Sequence, residues 1–160
     1  MQVPGRPRRG ARLVSLLTAA VLIGFGGSVM AQGGANEELD LREANVMDVS
    51  IETSGTGSYR FAVTLLHDDD GEEGYANWWQ VESLTGEQLG RRELLHAHGT
   101  VEFTRSETIR IPEGIERVVV RGHDQTHGYG GQVAIVDLAS GDLEFLRQGS
   151  EAADFSDRSE

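Results

Sequence analysis

The five histidines of this chain fall in three short segments, LLHDDDGEEGY with His67, LLHAHGTVEF with His96 and His98, and RGHDQTHGYGG with His123 and His127. Imidazole is the commonest metal-ligating side chain, and it titrates near neutral pH without perturbation. If the segments meet, they offer metal coordination, acid–base chemistry or a hydrogen-bond network. On a strand, His96 and His98 point to the same side with backbones roughly 6–7 Å apart, close enough for both rings to turn toward one ion. His67 shares the phase of Phe61, Val63 and Leu65 and should reach the rim of the core. His127 lies in the Gly-rich run His127-Gly128-Tyr129-Gly130-Gly131, which can bend toward a bound ion. His123 is out of phase with Val118 and Val120, so it ranks below the other four, as does its neighbour Asp124.

Asp68, Asp69, Asp70, Glu72, Glu73, Glu102 and Asp124 surround these histidines in sequence and could complete a coordination shell or orient an imidazole. There is no cysteine, so thiolate zinc sites and type 1 copper centres are excluded. The expected metal ligands are His67, His96, His98 and His127, and the ions that suit them are Cu(II) or Zn(II). Asp68-Asp69-Asp70-Gly71 lacks the spaced pattern of a calcium loop. A second reading makes the same histidines a hydrogen-bond network inside a non-catalytic module that interacts with another cell-envelope protein. A third gives a metal-bound water hydrolytic or redox work. No catalytic residue is assigned, because the chain has no nucleophile elbow, phosphate-binding glycine loop or HExxH motif. All 14 basic residues are arginine, so lysine-dependent mechanisms are excluded too.

The elements that must position these residues read as strands. Period-two alternation predicts strands at about 45–53, 58–67, 75–83, 88–98, 101–111, 115–123, 132–138 and 143–146, separated by turn signals such as Ser54-Gly55-Thr56-Gly57, Pro112-Glu113-Gly114 and Ser140-Gly141-Asp142. The expected fold is an all-β antiparallel sandwich of seven to eight strands, immunoglobulin/fibronectin-III-like, with a tryptophan of the Trp78-Trp79 pair in the core. In such a fold successive strands reverse direction. The ends of the second, fourth and sixth strands then share one pole, and all three histidine segments sit there.

The remaining segments set the context. Residues 1–31 carry Arg6, Arg8, Arg9 and Arg12, then a short apolar run and Val29-Met30-Ala31, the layout of a cleaved signal peptide. Residues 32–38 read as a flexible leader, 39–148 as the sandwich and 149–160 as a disordered acidic tail. Cleavage leaves ten arginines against 26 carboxylates, a formal charge of −16. That disfavours nucleic acid and anionic membranes as partners, and no later segment is apolar enough to insert in a bilayer. The expected location is periplasmic or secreted.

The strings Trp79-x-Val81, Arg92-x-Leu94-Leu95-His96-x-His98, Phe103-Thr104-Arg105-Ser106, Ile111-Pro112-Glu113-Gly114 and His123-Asp124-x-x-His127-Gly128-Tyr129-Gly130-Gly131 together resemble a family of small, uncharacterised exported prokaryotic proteins. The resemblance covers roughly residues 61–136. In that pattern the histidine pair usually reads His-Pro-His, whereas Ala97 stands here. It supports grouping His96, His98 and His127 and implies no activity.

Overall fold

Eight strands form, in order, β1 (Asn45–Gly55), β2 (Ser58–Leu66), β3 (Ala76–Ser83), β4 (Gln88–Glu93), β5 (Phe103–Arg110), β6 (Arg117–Asp124), β7 (Gly131–Asp137) and β8 (Leu143–Gln148). They belong to a computed structural model that describes residues 38–69, 71–152 and 154–159. The expected signal peptide and most of the expected leader lie outside the described residues, as does Asp70.

The strands make two antiparallel sheets, β1-β2-β5 and β4-β3-β6-β7-β8. This is the immunoglobulin/fibronectin-III-like sandwich. Its core comes from alternating residues: Phe61, Val63 and Leu65 of β2 face Trp79 and Val81 of β3 and Val118 and Val120 of β6, all fully buried. Trp79 is the core tryptophan. Alternation alone would put Met47, Val49 and Ile51 on one face of β1. A register shift between Val46 and Asp48 intervenes, and the extra residue turns Val46 inward together with Val49.

The central strands β3, β6 and β7 of the five-stranded sheet are buried on both faces. On its outer side Val119, Val133 and Ile135 form a second apolar cluster with Phe155, flanked by Leu84 and Leu146. The segment expected to be a disordered tail thus closes over this face. The Phe155 amide donates to the Leu84 carbonyl (2.8 Å), and Arg158 pairs with Glu144 (2.6 Å). An aromatic anchor inside an acidic stretch is invisible to composition. Phe155→Ala is expected to lower stability by about 2–4 kcal/mol in urea denaturation. Phe145→Ala, at an exposed position on β8, should cost well under about 1 kcal/mol. Equal effects would mean that the tail is not part of the folded unit.

Candidate functional site

Strands β2, β4 and β6 end at one pole, and the segment entering β1 runs beneath it. Main-chain bonds join these loops: Asp68 N to Leu41 O (2.6 Å) and Gln125 N to Tyr75 O (3.0 Å). The Thr126 hydroxyl adds a bond to Glu73 O (3.1 Å).

His67 lies at the centre, 2 % exposed. Its Nδ1–H donates to Asp69 Oδ1 (2.5 Å). Its Nε2–H donates to the Arg42 carbonyl (3.1 Å), and Asp124 Oδ2 stands alongside at the same distance. The carbonyl takes the directional bond, and the carboxylate oxygen is held by charge without one. The Arg42 guanidinium turns back to Asp40 (2.6 Å), holding that carboxyl at about 2, well below its ordinary value. Every neighbour of the His67 ring nitrogens is an acceptor, so the contacts are all satisfied when both nitrogens carry hydrogen.

The two carboxylates are fixed by main-chain amides. Asp69 Oδ1 also accepts from Ala76 N (3.1 Å), and its Oδ2 accepts from His98 N. Asp124 Oδ1 accepts from Thr126 N (2.8 Å), from His127 N and from His127 Nδ1 (2.8 Å). A chain of close polar contacts therefore runs Asp69–His67–Asp124–His127. Beside it opens a cleft of about 370 Å³ lined by Arg42, His67, Asp68, Glu73, Asp124 and His127, among others.

The other histidines are placed differently. β4 ends at Glu93, so His96 and His98 stand in the loop to β5 and not on a strand. The His98 ring stacks on Phe103 (centroids 3.8 Å, 9° between planes), and the exposed His96 ring tilts over it at 4.6 Å. His98 is nearly buried, and both its ring nitrogens lack a hydrogen bond. Nδ1 faces Asp69 Oδ2 at 3.8 Å. Burial lowers the His98 pKa from its ordinary value, helped by Arg105 and His96 and opposed by Asp69. His123 sits on the outer sheet face, stacked on Trp78 (4.1 Å, 15°) with Nδ1 against Asn77 Oδ1 (2.8 Å). Arg91 lies over the Trp78 ring at 3.9 Å, and Tyr129 meets both rings edge-on. Burial lowers the His123 pKa also, with Asp124 opposing and Arg91 assisting.

The five side chains thus form three groups: His67 with His127, His96 with His98, and His123 alone. Among the described residues no cluster of three or more His, Asp or Glu side chains is arranged to hold a metal ion. Asp69 emerges as the hub that joins the β2 and β4 loops. Its signal in the sequence is phase, since it continues the inward series Phe61, Val63, Leu65, His67. A second buried charge pair, Arg121 with Glu82 (2.7 Å), had no sequence signal, because both residues lie on the face a two-sheet sandwich normally exposes.

His98 and His123 set a sign for pH dependence. Their folded values lie below the ordinary imidazole value of 6.5. The unfolded chain therefore takes up protons that the folded chain refuses, and stability falls as pH drops below 6.5 toward the depressed values. Urea midpoints are expected to be lower at about pH 5.5 than at about pH 7.5. The difference should shrink in His98→Phe; an unchanged difference would remove His98 from this role.

A protein of Halomicrobium mukohataei described as "Putative lipoprotein" is 59% identical to this chain over 139 residues, 87% of this chain and 69% of that protein. No family model and no solved structure matches.

Proposed function

The chain belongs to one family with that Halomicrobium mukohataei protein, and from that premise we propose that it is an exported, non-catalytic module of the cell envelope. In this reading its histidine–aspartate chain holds the loops of one pole as a preformed binding surface for an envelope partner. The observation that carries the reading is His67, buried with an acceptor against each ring nitrogen at 2.5 and 3.1 Å. Such a ring has no lone pair to give an ion and acts as a clamp between two carboxylates. His127 donates Nδ1–H to Asp124 like an oriented base. Among the described residues, however, no serine or threonine hydroxyl is hydrogen-bonded to an imidazole, so a nucleophile–base pair is lacking.

The clamp joins residues 38–44 to the loops after β2, β4 and β6. Replacing Asp69 by Asn breaks the buried His67–Asp69 contact and is expected to cost about 1–3 kcal/mol. In hydrogen exchange those four segments should lose protection first while β3 and β6 keep theirs. If the pole exchanges as in the parent protein, the clamp reading fails.

The relative's description also bears on localisation. Lipid attachment through sulfur needs a cysteine, and these 160 residues contain none. We expect export with cleavage after Ala31, and a sulfur-linked lipid has no attachment point within these residues. Mass spectrometry of the mature protein should find Gln32 at the amino terminus, and detergent-phase partitioning should leave the protein in the aqueous phase. Recovery in the detergent phase, or a full-length cytoplasmic chain, would overturn this.

A further inference from the structure

One pair of imidazoles is left over by the clamp. His98 is 5 % exposed at its side chain, and both ring nitrogens are buried without a hydrogen bond. Orphaned buried polar atoms are costly, and the ring is held in place on both sides. Phe103 stacks beneath it at 3.8 Å, and the His98 main-chain amide is tied to Asp69 Oδ2. Only the His96 ring, exposed and 4.6 Å away by centroid, closes over it.

That separation matches the geometry of two imidazoles bound side by side to one ion. With a metal–nitrogen bond of about 2.0–2.1 Å and the ring centre about 1.1 Å beyond the nitrogen, cis ligands place their ring centres roughly 4.5–5 Å apart. Asp69 Oδ2 faces His98 Nδ1 at 3.8 Å. This carboxylate charge favours the proton on Nδ1 and leaves Nε2 as the donor, and a small shift would close the hydrogen bond that orients ligating imidazoles.

We propose that His96 and His98 form a two-imidazole site for a divalent transition ion, with water or an exogenous ligand filling the remaining positions. Neutral nitrogen donors with open positions favour Cu(II) over the other first-row divalent ions. The ion enters between the two rings by a swing of the exposed His96 and supplies the partner that the His98 nitrogen lacks. His67 takes no part, because Asp69 and the Arg42 carbonyl engage both its nitrogens, and His127 belongs to the other group, held on Asp124. This site goes beyond the clamp; it shares Asp69 with it, but its ion-binding rings are those of His96 and His98, so His96→Ala tests it with the clamp intact.

The test is titration of the untagged exported chain with Cu(II) alone, followed by calorimetry and electron paramagnetic resonance. One equivalent is expected, with hyperfine structure from two equatorial imidazole nitrogens. His96→Ala changes an exposed side chain, so it should leave the melting temperature of the metal-free protein unaltered while weakening binding at least about tenfold. His127→Ala should bind like the parent. The proposal is overturned if the parent shows no saturable binding, if His96→Ala retains it, or if His127→Ala loses it. Retention in His96→Ala would place the copper elsewhere, the terminal amine included.

Discussion

A positively polarised imidazole between two buried carboxylates constrains everything at the histidine pole. Asp69 and Asp124 are each wholly shielded from water at the side chain, and a buried carboxylate without partners is costly. His67 faces both of them, and main-chain amides supply what remains: Ala76 N and His98 N to Asp69, Thr126 N and His127 N to Asp124. These amides come from the β4–β5 turn, the β6–β7 turn and the start of β3. Satisfying two charges therefore fixes loop conformations that apolar packing does not reach. The same need explains why the segment entering β1 lies where it does, since its Arg42 carbonyl completes the His67 contacts.

The opposite problem is solved on the outer face of the five-stranded sheet. β3 and β6 are buried on both sides, which an antiparallel sandwich does not require. Arg121 and Glu82 pair there out of contact with water, and Tyr129 and Phe155 close over the guanidinium at 5.9 and 5.8 Å. Tyr129 comes from the loop that also carries His127, so the two polar systems share a support. That loop needs its glycines. Gly131 has φ 77°, and a side chain there would meet Asn45 Oδ1 at 2.8 Å, the oxygen that accepts from Gln132 N.

The fold was legible because its signals are local. Alternation in β2, β3 and β6 and the turns between them place eight strands to within a few residues, and strand reversal alone gathers the histidine segments at one pole. Legibility ended where a residue's role depends on a partner remote in sequence. Nothing local distinguishes Asp69 from Asp68, apart from parity with His67. His96 and His98 continue the β4 pattern as letters, yet the strand stops at Glu93 and the pair stands in a loop. Phe155 is a single aromatic in an acidic stretch, and its site on Val119, Val133 and Ile135 exists only once β6 and β7 are paired. Even Met47 was misplaced by one inserted residue, because a bulge inverts parity without changing composition.

Clustered histidines suggest a metal because imidazole is a good ligand, but this chain gives them another use. It has 26 acidic residues and no lysine, so a carboxylate drawn into a loop can be neutralised only by arginine or histidine. Arginine is long and forked, and at the crowded rim the flat two-sided imidazole fits between two carboxylates where a guanidinium would have to displace a turn. A ring with an acceptor against both nitrogens, as His67 has, is closed to an ion. A ring that gives only one nitrogen to a carboxylate keeps the other for a ligand. His67 and His127 each have a carboxylate within hydrogen-bonding distance. His98 has only a main-chain tether and a carboxylate at 3.8 Å, so both its nitrogens stay without a hydrogen bond and ligand chemistry remains open to it and to its neighbour His96.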